Sequence, residues 1–591
     1  MPLARLRLAL LVRLNWLRRR ALARGSEIGF VLLALLVGAI AGAIVSLVSL
    51  LTHFLQSLLY DVPFGAGLSG SALERDWTLV EVPILGGLMT ALVMMMRRRS
   101  GRIVDPVEAN ALYGGRMSLT DSIWLTMQNL CSNGFGLSAG LEAAYTQCAS
   151  GAASKLGLKL KLRREDMRVL VGCGSAGAIA AAFGAPMTGA FYAFELIIGT
   201  YSAVSLAPVI GAAITAMLVS HALSGSHFQI DVPPIGAITA ADFAPAVLLG
   251  GICGLLGILV MIAVVRTERL ASASPIPEFL RPAVGGLLVG LIGLVTPQVL
   301  SSGHGAMHLN LQDNVAWTAL ATLFLFKAAA SALTIGWGFR GGLFFASLML
   351  GALAGKAMAL PLDWLGPGML SPTALAVIGM GAFGTAVVGG PLTMTFLALE
   401  LTGEFPIAVL VLVACITSSL MVRQTFGYSF TTWRFHLRGE TIRSAHDVGW
   451  IRNLTVGRLM RSDVRTAPAG TSPDAFRETF PLGSTQRVVI EDEDGRYVAI
   501  VQVAEVHADK GAPEPKKALS DFFHQQSDVL LPGMNARQAA ALFESSRSEA
   551  LAVVNDRIER RVIGLLSEAH TLRRYSEELD KRRKEATGAS E

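Results

Sequence analysis

Phe183-Gly-Ala-Pro-Met-Thr-Gly-Ala-Phe-Tyr-Ala-Phe-Glu-Leu196 returns about 205 residues later as Val388-Gly-Gly-Pro-Leu-Thr-Met-Thr-Phe-Leu-Ala-Leu-Glu-Leu401. Gly184, Pro186, Thr188, Phe191, Ala193, Glu195 and Leu196 find counterparts in Gly389, Pro391, Thr393, Phe396, Ala398, Glu400 and Leu401. A second echo, in the same chain order, joins Gly136-Leu-Ser-Ala-Gly-Leu141 to Gly338-Phe-Arg-Gly-Gly-Leu343. Duplication of a multi-helix unit explains both echoes more simply than chance likeness among Ala-, Gly- and Leu-rich helices. Each copy breaks an apolar run with Gly and Pro, and helices broken at corresponding places in two halves point to a binding site at mid-membrane. A helix that begins there leaves backbone N–H groups unpaired and carries partial positive charge at its start. Several such ends aimed at one point can replace the hydration shell of a small anion.

The surrounding composition agrees with a membrane body. Of 591 residues, 52% are hydrophobic and 16% charged, against about 25% charged in soluble domains. Runs near the ~20 residues that span a bilayer lie at Ile28–Leu59, Val80–Met96, Val169–Ala182, Ala190–Leu223, Ala244–Val265, Pro282–Leu300, Trp317–Ile335, Leu343–Leu360 and Ala374 to about Leu420. The net charge of +6 is no nucleic-acid signal, because the basic residues flank apolar runs. Arg5, Arg7, Arg13, Arg18, Arg19, Arg20 and Arg24 are too dense for a cleavable signal peptide and read as a surface-lying cytoplasmic helix. The five cysteines are scattered without a C-x-x-C pair, which argues against a disulfide framework or a zinc site.

Few ionisable residues interrupt the apolar sequence, and each needs a reason. Glu142 follows Gly140-Leu141. Either it mimics the permeant anion and swings away when protonated, or it is a helix-start acid beside orphan N–H groups. Glu195 and Glu400 occupy equivalent repeat positions, so a structural role with buried contacts to backbone or Arg is expected. Tyr428 follows the last apolar run, as an aromatic-belt residue or an ion-contacting hydroxyl. His304 and His308 lack the Glu of H-E-x-x-H, so a surface loop is expected there. No nucleophile–base set or metal motif stands out, which counts against an enzyme.

These motifs, in this order, resemble the CLC family of chloride channels and chloride/proton antiporters over about residues 1–440. Gly140-Leu-Glu-Ala-Ala144 is similar to the family's G-[K/R]-E-G-P, which implies that Glu142 is the gating glutamate. Gly341-Gly-Leu-Phe-Phe-Ala346 is similar to G-G-x-F-x-P. By that resemblance Gly140, Gly342 and the amides of Leu343 and Phe344 bind the anion, together with the Tyr428 hydroxyl. The resemblance also implies an all-α, multi-pass fold with two inverted repeats, cytoplasmic termini and a homodimer. Two departures stand out. The serine of the central anion site falls at Ile103, in Arg102-Ile-Val-Asp-Pro106, and an aliphatic side chain donates no hydrogen bond. The internal proton-transfer glutamate falls at Leu196, which carries no proton.

Beyond His436 the chain becomes charged and contains no spanning run. Arg487–Ile490, Tyr497–Val501, Leu551–Val554 and Val562–Leu566 read as strands, and Asn535–Ser545 as a helix. The tail resembles a CBS-domain pair, which implies an α/β fold and dimer contacts. Such pairs often hold adenine nucleotides through an acid whose place is taken here by His570, with Gln502 and Glu505 in looser agreement in the first unit, so nucleotide binding is left open. The expected boundaries are 1–26 for the amphipathic helix, 27–440 for the membrane domain and 441–453 for a linker. Residues 454–507 and 518–575 are the two CBS units, joined by 508–517, and 576–591 are a disordered end. The expected function is passive, gated conduction of chloride across a bacterial inner membrane, with no cofactor beyond the transported ion and with membrane lipid around it. The alternatives are proton-coupled exchange on the same scaffold, or a CBS-based sensor that has lost transport.

Overall fold

The computed structural model describes residues 27–65, 67–97, 102–225, 230, 239–312, 315–365, 370–437, 454–511, 516 and 518–587. The amphipathic helix expected before residue 27 and the linker at 441–453 lie outside them. The chain divides into two compact units, Met1–Asp447 and Val448–Glu591.

The first unit is helical, and among its described residues nine helices are long and apolar enough to cross a membrane. The protein is a multi-pass membrane protein. Its halves match element by element. Glu27–Tyr60, Thr78–Met96, Pro106–Leu112, Leu119–Asn133, Glu142–Leu160, Arg164–Phe183, Pro186–Tyr192 and Ala203–Ser224 make up the first half. Phe243–Ala273, Arg281–Val295, His304–Gln312, Trp317–Gly336, Phe344–Ala357, Pro372–Val388, Pro391–Thr402 and Phe405–Thr425 make up the second. The breaks follow from backbone chemistry. Gly184 and Gly389 end equivalent helices at φ +67° and +94°, the left-handed region that glycine enters without penalty. Pro186 and Pro391 each open the next helix at its first turn, where no N–H is needed.

Two expected runs are therefore composite. Ala190–Leu223 falls into a short helix, a wide π turn at Ala193–Ile198 and a spanning helix after Gly199. Ala374 to Leu420 is cut at Gly389 and Gly403. Three helices at 106–160 had no apolar run to announce them. Leu119–Asn133 and Glu142–Leu160 bury Ser122, Thr126, Gln128, Asn129, Gln147 and Ser150, because protein surrounds those faces. Their polar groups are satisfied from within, as when Gln147 donates to the Val104 carbonyl at 2.9 Å. The histidine stretch, expected as a loop, is the start of the His304–Gln312 helix.

The second unit repeats one pattern twice: an extended segment, a helix, a hairpin and a helix. Thr466–Pro468 runs parallel to Arg487–Glu491, which pairs antiparallel with Tyr497–Gln502, Val489 facing Ile500. In the other half Leu530 bridges Val553 in parallel, and Ala550–Val554 pairs antiparallel with Val562–Ser567. Each half lends its opening segment to the other: Thr455 bridges Asn535, Arg461 bridges Leu565, and His524 bridges Ile500. Helix Glu568–Thr587 runs through most of the end expected to be disordered. Its charges are spaced one turn apart, and Glu577 takes Arg574 at 2.8 Å and Arg573 at 3.8 Å.

Candidate functional site

The two echoed glycine motifs meet. Gly140 donates to the Gly342 carbonyl at 2.9 Å, and Gly342 returns the bond to Gly140 at 3.2 Å. Equivalent residues that exchange both bonds are related by a local two-fold, so the repeats run antiparallel there. Gly136 and Gly338, which open the two motifs, both lie at positive φ, +82° and +98°. The first motif is held from the Leu119–Asn133 helix: Asn129 donates to the Gly140 carbonyl at 3.2 Å and Asn133 to Ala139 at 2.6 Å.

Each paired glycine leads into a helix. Glu142 opens Glu142–Leu160 and Phe344 opens Phe344–Ala357, and no side chain caps either helix. Glu142, 4% exposed, turns its carboxylate toward the backbone N–H of Phe345 and of its own residue. Its Oε2 finds no hydrogen-bond partner among the described residues. That oxygen takes the space a side chain at 140 would fill, since a Cβ on Gly140 would overlap it and come within 3.3 Å of the Gly342 oxygen. Gly140→Ala is therefore expected to expel the carboxylate while keeping it in the protein. Chloride efflux from proteoliposomes should rise at neutral pH, and an unchanged rate would count against this placement.

A cavity of about 640 Å³ opens in front of Glu142. Leu343, Phe344, Gly342, Ile103 and Tyr192 line it, with Arg97, Arg102, Arg340 and Arg434 among the walls. Arg97 and Arg102 are paired with Asp121 at 3.0 Å and Glu108 at 2.9 Å, and Arg434 approaches Glu268 at 4.0 Å. The walls thus present N–H donors with much of their charge already balanced. Tyr428 is not among these lining residues. It lines a second cavity of about 540 Å³ with Glu195, Leu196, Tyr201 and Arg423, its ring 5.4 Å from Trp433. Tyr192 belongs to both cavities. Leu196 packs with Val107 and Tyr192 around Ala109 and Ile197.

Glu195 and Glu400 make the backbone contacts expected of them, and they make them across the repeats. Pro391 has no N–H to offer, and the next two amides, Leu392 and Thr393, donate to Glu195 at 3.0 and 2.8 Å, with the Thr393 hydroxyl at 2.6 Å. After Pro186, the amides of Met187 and Thr188 donate to Glu400 at 2.8 Å each, with the Thr188 hydroxyl at 2.7 Å.

Two further residues escaped the sequence reading. Lys327 is fully buried in Trp317–Gly336 and donates to the carbonyls of Val299 and Ser301 at 3.0 and 2.9 Å. Ser301 in turn donates to Gly136 at 2.9 Å, so this lysine braces the turn behind the first glycine motif. Tyr192 was signalled only by the repeat, whose second copy has Leu397 in its place. In the tail, burial and then the guanidiniums of Arg573, Arg574 and Arg461 hold the His570 pKa below the usual histidine value.

The model of the family described as "Voltage gated chloride channel" matches residues 82–423. A putative ClcB-like chloride channel protein of Ralstonia nicotianae is 29% identical over 359 residues, 59% of this chain and 83% of that one. The voltage-gated ClC-type chloride channel ClcB of Escherichia coli strain K12 is 28% identical over 402 residues, 66% of this chain and 95% of that one. Among solved structures, a slow cyanobacterial Cl-/H+ antiporter superposes with a TM-score of 0.62 at 19% identity, covering 69% of this chain and 97% of the other. A eukaryotic CLC transporter superposes with a TM-score of 0.59 at 17% identity, covering 92% and 97%. At these identities the likeness to the solved structures is one of fold.

Proposed function

Since the chain belongs to the voltage gated chloride channel family, we propose that it conducts chloride passively across a bacterial inner membrane, with Glu142 as the gate. The observation that carries this reading is the Glu142 carboxylate. It lies at an uncapped helix start, buried, with one oxygen unpartnered among the described residues, facing the cavity that Leu343 and Phe344 line. A carboxylate so placed holds the position of a small anion and competes with it for the same N–H groups. Protonation or an arriving chloride moves it aside. The membrane potential acts on the permeant ion by about 2.3 kcal/mol per charge per 100 mV, enough to bias that competition. Leu196 supports passive flux, since it offers no internal acid to couple protons. We read the termini as cytoplasmic, the protein as a homodimer, and the tail as a CBS pair whose halves exchange their opening segments.

Exchange of chloride for protons is the second reading, favoured by the fold shared with a Cl-/H+ antiporter. Paired chloride and proton fluxes from proteoliposomes under a chloride gradient separate the two. Chloride efflux without uphill proton movement is the expected result. Protons driven uphill by the gradient would establish exchange, and no anion flux at all would favour a sensor that has lost transport.

A further inference from the structure

The geometry points to Tyr192 as the side-chain hydroxyl that binds the anion in front of Glu142, doing what Ile103 on the same wall cannot. This inference rests on the anion-conducting reading above. Among the described residues, three side-chain hydroxyls line the cavity: those of Thr146, Tyr192 and Thr431. Thr146 donates back into its own helix, to the Glu142 carbonyl at 2.8 Å. The amide of Gln147, also on the wall, is committed to the Val104 carbonyl and the Ser122 hydroxyl. Thr431 lies on the Phe430–Leu437 helix, between Phe430 and Arg434. The Tyr192 hydroxyl is in hydrogen-bonding contact with the Thr146 hydroxyl and within electrostatic range of Asp105 and Glu142. Its ring centroid is 6.1 Å from that of Phe344, the residue that opens the facing helix.

That position has two consequences. With its ring near that of Phe344 and its residue lining the same cavity, Tyr192 brings a donor to the volume that the Phe344 helix start borders. Tyr192 also forms part of the second cavity, where Tyr428 lies. Because Tyr192 lines both cavities and Tyr428 only the second, an ion that used both would meet the two tyrosines in series. An O–H donor also favours small, strongly accepting anions over large, weakly hydrated ones, which makes Tyr192 a determinant of selectivity.

The test is chloride titration by calorimetry on the full-length protein in detergent, with chloride flux from proteoliposomes alongside. Tyr192→Phe keeps the ring against Phe344 and removes only the hydroxyl. The expected result is about tenfold weaker chloride affinity, the size of one hydrogen bond to an ion, with the pH response of flux retained as evidence of an intact gate. Ile103→Ser added to Tyr192→Phe should recover most of the loss by returning a hydroxyl to the same wall. Wild-type affinity in Tyr192→Phe would overturn the inference and leave the conducting function standing. A wild-type protein that neither binds nor moves chloride would overturn both.

Discussion

Glu142→Ala is expected to leave chloride flux open and to erase its dependence on pH. Among the described residues lining the cavity, the carboxylates are Glu142 and Asp105. Asp105 is committed as a helix cap, accepting from the Glu108 amide at 2.8 Å. Removing the carboxylate leaves the helix-start N–H groups to the ion at every pH. In the wild type, protonation discharges the competitor, so flux should rise as pH falls. The variant should show the acid-limit rate throughout. Stopped-flow or electrode-recorded efflux at stepped pH decides the matter, and a pH response in the variant equal to wild type would remove Glu142 from the gate. Glu142→Gln is the companion: it keeps the volume and a hydrogen-bond acceptor without the charge, so any rate below that of the alanine variant reports occlusion that needs no charge.

The second large effect concerns stability. Glu195→Ala and Glu400→Ala should each destabilise the membrane unit by about 2–4 kcal/mol, because each strands three donors whose acceptor was a charged group. The estimate is held down because both side chains are only half-buried. Glu→Gln at either site should cost less, since the amide oxygen still accepts. Thermal unfolding of the purified protein in detergent measures the difference. Equal melting of the wild-type and alanine proteins would show that water or lipid satisfies those helix ends. The double alanine variant should lose more than either single one, because the two contacts fasten different helix starts.

Much of this was legible in the sequence, and the remainder was hidden for physical reasons. The glycine motifs, the broken helices and the paired glutamates could be read because duplication writes each constraint twice. Leu119–Asn133 and Glu142–Leu160 could not be found by hydropathy, which reports contact with lipid; these helices are wrapped by protein and bury hydroxyls and amides instead. The His304 helix was obscured by its flanking glycines. Tyr192 was concealed in an aromatic stretch, and its meaning depends on which cavity wall it joins. Tyr428 sits beside Leu196 and Arg423 in the neighbouring cavity, a placement set by tertiary packing that no local pattern encodes. The charged end at 576–591 looked too polar to order, yet a helix can be sustained by charges placed one turn apart.

The reciprocal bond between Gly140 and Gly342 brings Glu142 and Phe344 to equivalent stations of the duplicated motif. A pathway built from two identical antiparallel halves would have no front or back: turned over in the membrane, it would be the same object. At these facing stations that equality is broken by an acid in one half and a phenylalanine in the other. Sidedness, the ability to answer acid on one face of the bilayer and ignore it on the other, is thus a property that the backbone alone withholds. It has to enter through positions where the two copies differ, and the acid facing a phenylalanine is one of them.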